Sequence, residues 1–171
     1  MKTAILLVSL FLATSLSVGA KTVKYPEKDP AFSITLPDDW TTKAKPDGNL
    51  ECIAGDGSKF SFIVQAQDSK TDDALKNDMG TLAKAMGEGA EMKDLKISDV
   101  IEMAMPKVKL FAVNGTGTTS GLDMILTVVG FAPKKGTYFA VLAVETKEVD
   151  RAHDKVMGEI MSSITPVSDA K

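Results

Sequence analysis

Two runs in the second half of the chain, "LDMILTVVGF" (122–131) and "YFAVLAV" (138–144), are apolar at odd and even positions alike. Successive side chains of a β-strand point to opposite faces, so a strand with one wet face alternates polar with apolar residues. These runs do not alternate, and they predict strands buried on both sides. The short connection "PKKG" between them predicts an antiparallel hairpin. Something must therefore cover each face of the sheet to which they belong.

Two amphipathic helices are available for that. Ser69–Met86 carries Leu75, Met79, Leu82, Ala83 and Met86 at helical spacing, with acidic residues in its first turn and Gly87 and Gly89 after it. Val149–Ile164 carries Val149, Val156, Met157, Ile160 and Ile164 on one stripe and stops before Pro166. Further strands are expected at 31–36, on both sides of a turn at Gly55–Ser58, at 95–105 and from Val108 to about Gly117. Asp56-Gly57 suits that turn because both residues tolerate positive φ. The economical solution is an α+β fold, a mostly antiparallel sheet with helices covering both faces.

The ends of the chain concern location more than fold. Lys2 precedes a thirteen-residue apolar run, Ala4–Leu16, and Val18-Gly19-Ala20 supplies the small residues that a signal peptidase reads. The run is short for a membrane span, which needs about 20 residues. Residues 1–20 are therefore expected to be a signal peptide cleaved after Ala20, giving a soluble periplasmic or secreted product. Lys21 at the new terminus, instead of cysteine, excludes lipid attachment there. Residues 21–30 are polar with two prolines and are expected as a flexible leader, 31–166 as a single domain, and 167–171 as a tail. The processed chain has 151 residues, 19 basic and 23 acidic side chains, and a net charge of −4. With lysines scattered and Arg151 as the only arginine, nucleic acid and membrane surfaces are poor partners.

The stretch Phe32–Trp40, "FSITLPDDW", holds the chain's only tryptophan. Pro37-Asp38-Asp39 turns the chain sharply, and burial of Trp40 would bring a large apolar area to the core. Phe32, Ile34, Leu36, Pro37 and Trp40 spell an aromatic-x-I-x-L-P-x-x-W opening, and Ile160, Ser163 and Ile164 an I-x-x-S-I closing run. These two motifs, with the order of elements between them, resemble the PsbP-like superfamily, which also includes a nuclear Ran-binding factor and bacterial DcrB-type envelope proteins. The resemblance implies that Trp40 begins the second strand and packs inward. It also implies a domain that binds, with another envelope protein as the expected partner, and not an enzyme. DcrB-type proteins are usually lipid-anchored, which this chain is not equipped to be.

Catalytic and cofactor chemistry leaves little trace. There is no C-x-x-C, H-E-x-x-H, G-x-S-x-G or P-loop, and no cofactor is expected. "NGTGTTSG" precedes a strand, so it lacks the helix N-terminus that binds phosphate; its Asn114-Gly115-Thr116 glycosylation pattern is read as a turn. Cys52 alternates with Leu50 as a small core residue. His153, the single histidine, falls on or at the edge of the second helical stripe, as a boundary residue satisfied by backbone or side-chain partners. Met103, Met105 and His153 are the only candidates for a soft-metal site, since thioether and imidazole suit copper(I). The competing function class is thus a carrier of a small apolar ligand or copper(I), in a cavity lined by Met103, Met105 and Phe111.

Overall fold

The computed structural model describes residues 19–105 and 107–167. Nearly all of the expected signal segment, and the tail beyond 167, lie outside the described residues. The elements are β1 (Ala20–Tyr25), β2 (Phe32–Pro37), β3 (Thr41–Ala44), β4 (Leu50–Ile53), β5 (Ser61–Gln67), α1 (Asp72–Gly89), β6 (Lys93–Ile97), β7 (Ile101–Ala104), β8 (Lys109–Thr119), β9 (Leu122–Lys134), β10 (Thr137–Thr146), α2 (Lys147–Ser163) and β11 (Thr165–Pro166). An eight-stranded antiparallel sheet runs β3-β4-β5-β10-β9-β8-β6, with β7 also on β8; β1-β2-β11 form a separate three-stranded sheet.

β9 and β10 occupy the middle of the large sheet, as their two-sided apolar pattern requires. Their residues divide by parity between two cores. Val129, Phe131, Phe139 and Val141 belong to one, and Leu126, Val128, Tyr138 and Ala140 to the other. α1 supplies Leu75, Met79 and Ala83 to the second core. α2 supplies Ile160 and Met161 to the first, but it shares that face with Phe32, Ile34 and Leu36 of the small sheet. The expected α+β, mostly antiparallel architecture is therefore present, with one cover built jointly from a small sheet and a helix.

Several local expectations are corrected. Residues 21–25, assigned to a flexible leader, form most of β1, paired along its whole length with β2; Val23 and Tyr25 alternate inward, which makes the strand worth forming. α1 is capped by Thr71, whose hydroxyl accepts from Ala74 N at 3.1 Å, not by Ser69. It runs through Gly87, which faces Leu95 so closely that a Cβ would sit 2.5 Å from that side chain. The single strand expected at 95–105 is two, β6 and β7, both laid along β8. β8 continues through "NGTGTT", so Asn114 lies in a strand and not in a turn; its Oδ1 accepts from the Thr127 hydroxyl. Glycine is needed there because Leu126 leaves no room for a Cβ at Gly115.

The β4–β5 connection is longer than a two-residue turn. Ala54 N donates to Phe60 O at 2.9 Å, enclosing residues 55–59. Inside it Asp56 Oδ1 accepts from Ser58 N at 2.9 Å, an Asx-turn, and only Gly57 and Lys59 take positive φ, +80° and +66°. A Cβ on Gly55 would meet the Asp39 carbonyl oxygen at 2.1 Å. The hairpin loop is thereby seated against the Pro37–Trp40 turn. Gly55→Ala must push backbone from backbone, and we expect a loss of about 1–3 kcal/mol. In a urea titration the midpoint should fall at unchanged slope; a variant as stable as the parent would mean that this seating does not constrain the fold.

Candidate functional site

The joint where the Pro37–Trp40 turn, the β4–β5 loop and α2 meet holds the chain's only tryptophan and only histidine. Trp40 is 3 % exposed. Its ring contacts Phe60 edge-on at 5.8 Å, Phe62 at 5.7 Å and His153 at 6.4 Å. Lys21 Nζ donates to the Trp40 carbonyl, so β1 pins the start of β3 from outside. The other family-motif residues are interior as well: Phe32, Ile34, Leu36, Ile160 and Ile164 are buried, and Pro37 is half-buried.

His153 is 4 % exposed, buried with the apolar stripe of α2. Its ring stacks on Phe60 with centroids 4.3 Å apart and planes 8° from parallel. Nδ1 lies 2.8 Å from the Val149 carbonyl oxygen, one helical turn back. Nε2 lies 2.9 Å from Asp56 Oδ2 and 3.3 Å from Ser58 Oγ. Two more carboxylates act on the ring electrostatically, Glu145 at the end of β10 and Asp150 on α2. Burial pushes both above the ordinary carboxylate range, while Ser61 N donates to Glu145 Oε1 at 3.1 Å. Asp56 is held below that range, chiefly by the Ser58 hydroxyl, then by the Ser58 amide and by His153.

Serine, histidine and aspartate thus meet, but not as an acyl-transfer relay. That relay needs the carboxylate on one ring nitrogen and the hydroxyl on the other. Here both converge on Nε2, and Nδ1 is spent on a helix carbonyl. The cluster ties a loop to a helix. Sequence reasoning missed Asp56 and Ser58 as partners of His153, because 97 and 95 residues separate them. The sole legible signal was that a lone histidine in an apolar stripe must find partners for both nitrogens.

Of the soft-metal candidates, His153 has both ring nitrogens engaged by protein groups. Met103 and Met105 pack against one core while Phe111 belongs to the other, so the sheet itself stands between the proposed cavity walls. Cys52 is fully buried, and burial pushes its thiol up to about 12. Alkylating reagents at pH 8 should therefore modify it only as fast as the protein unfolds; rapid labelling of the native protein would contradict this burial.

Truncating Trp40 removes the contact that joins β3, β5 and α2. Trp40→Ala should cost about 3–5 kcal/mol. Native emission should be blue-shifted, resist quenching by iodide and move red on unfolding. Emission already at the solvent-exposed wavelength, with a fully stable alanine variant, would refute the packing role.

No protein-family model and no curated protein sequence matches the chain. Solved structures do. The chain is similar to cyanobacterial PsbP (CyanoP) from Synechocystis sp. PCC 6803, at 9 % identity and a TM-score of 0.64 over 88 % of this chain and 94 % of that one. It is similar to the yeast Ran-binding protein Mog1p from Saccharomyces cerevisiae, at 12 % identity and 0.61 over 86 % and 95 %. It is also similar to LpqN, involved in cell envelope biogenesis of Mycobacterium tuberculosis, at 13 % identity and 0.56 over 87 % and 92 %. With nearly the full length of each neighbour covered, the chain has the PsbP-like fold.

Proposed function

We propose that this is an exported, non-enzymatic binding domain of the bacterial envelope whose ligand is another protein. The observation that carries the reading is where apolar surface remains. Among the described residues the large exposed hydrophobics are Ile97, Ile101 and Leu122, at 37 %, 55 % and 57 %. Ile97 and Ile101 lie on β6 and β7, which share the outer side of β8 at one margin of the large sheet. An open edge with exposed isoleucines is a surface at which a partner gains both backbone hydrogen bonds and apolar burial. Neighbours in fold named for Ran binding and for cell envelope biogenesis support binding over catalysis. No described helix is long and apolar enough to cross a membrane.

A photo-activated cross-linker placed at Ile101, in cells carrying the protein at native level, should give a discrete adduct that mass spectrometry resolves as one envelope protein. The same probe at Lys155, on the exposed face of α2, should give none. The intact mass of the released chain should start at Lys21. Retention of residues 1–20 would overturn export as read here, and a co-purifying small molecule with no protein adduct would overturn protein binding.

A further inference from the structure

We propose that His153 is a proton-operated latch between α2 and the β4–β5 loop, which exchanges Asp56 for Ser58 as its partner when the ring loses a proton. The geometry allows only this exchange. The Val149 carbonyl can only accept, so Nδ1 carries a hydrogen in either state. With Nε2 also protonated, the ring donates to the Asp56 carboxylate at 2.9 Å, and the Ser58 hydroxyl is free to donate to the same carboxylate. Once Nε2 loses its hydrogen, its lone pair faces a carboxylate that can only accept, and that contact turns repulsive. The one donor within reach is the Ser58 hydroxyl, 3.3 Å away, which must turn from Asp56 to the ring. A single hydroxyl hydrogen therefore changes acceptor, and Asp56 Oδ2, on a half-exposed side chain, is left to solvent while Oδ1 keeps the Ser58 amide.

The surroundings make the exchange local. Asp56 faces the ring from the loop, Glu145 from β10 and Asp150 from α2; Arg151 and Asp154 adjoin Asp150 with opposite effects on it. The ring cannot swing away to answer the change, because it is clamped in its stack on Phe60 and tied to its own helix. The loop has to move instead. It is also the part seated on the Pro37–Trp40 turn, so the indole 6.4 Å from the imidazole sits beside the moving part.

The mature chain carries its own probes, one imidazole and one indole. In ¹⁵N-labelled protein taken from about pH 5 to 8, Nδ1 should stay protonated while Nε2 loses its hydrogen. The amides of Asp56, Gly57 and Ser58, and Trp40 emission, should move with the same midpoint. In Ser58→Ala, loop amides should exchange faster than in the parent on both sides of that midpoint, because the hydroxyl accepts from Phe60 N throughout and serves Asp56 below it and the ring above it; above it the loss of the bond to the ring should amount to about fivefold. In His153→Gln the loop transition should vanish. A neutral ring protonated on Nε2, loop amides that ignore the ring's midpoint, or Ser58→Ala exchanging like the parent above it would each overturn the latch.

Discussion

The structure depends on one constraint, that β9 and β10 are apolar on both faces and cannot tolerate water on either. Phe131 and Phe139 face one core, Leu126 and Tyr138 the other. Fully burying a large apolar side chain is worth about 1.5–3 kcal/mol, so a bare face on these strands would remove much of a domain's margin. One cover is α1. The other is assembled from distant parts of the chain: β1 and β2 from its start, α2 and β11 from its end. The small sheet exists because β2 alone, six residues with Phe32, Ile34 and Leu36 inward, needs hydrogen-bond partners on both sides to be laid over a hydrophobic core.

How much of this the sequence made legible follows from the range of the interactions. The continuous apolar runs of β9 and β10 and the stripes of α1 and α2 are local patterns, and they placed those elements within a few residues. β1 was missed because its lysines and the prolines that follow it, Pro26 and Pro30, outweighed the inward alternation of Val23 and Tyr25, which pays off only once β2 lies alongside. The break between β6 and β7 was missed, whereas β8, expected to about Gly117, runs to Thr119, its glycines at 115 and 117 answering the close approach of Leu126 and of the Lys93 carbonyl oxygen. The joint at His153 was half visible. Its histidine and tryptophan stood out as single residues, while Asp56 and Ser58 looked like ordinary turn formers.

Those turn formers explain why the joint differs from the rest of the interior. Elsewhere the covers are held by apolar contact, which has no preferred partner and no charge state. Here a buried ring needs two acceptors or an acceptor and a donor, and the loop offers both kinds two residues apart, at Asp56 and Ser58. The contact is therefore directional, and it is the one place in the described core where a proton decides which pairing is satisfied.

The same division separates what the fold's relatives share from what they need not. At 9–13 % identity to its neighbours, what the chain shares with them is the fold, which buried apolar positions specify. Any side chain of suitable size fills such positions, so a core of this kind carries almost no information about a partner. That information has to lie where covering stops, at the margin formed by β6 and β7 and at the loops gathered around Trp40. An isoleucine left 55 % exposed on an open strand edge costs stability in an isolated molecule and invites unwanted pairing. β6 already shows the usual defence, a bulge with Asp94 at positive φ that breaks its register. β7 keeps regular register and has no such defence, which is the arrangement expected of an edge retained for a partner.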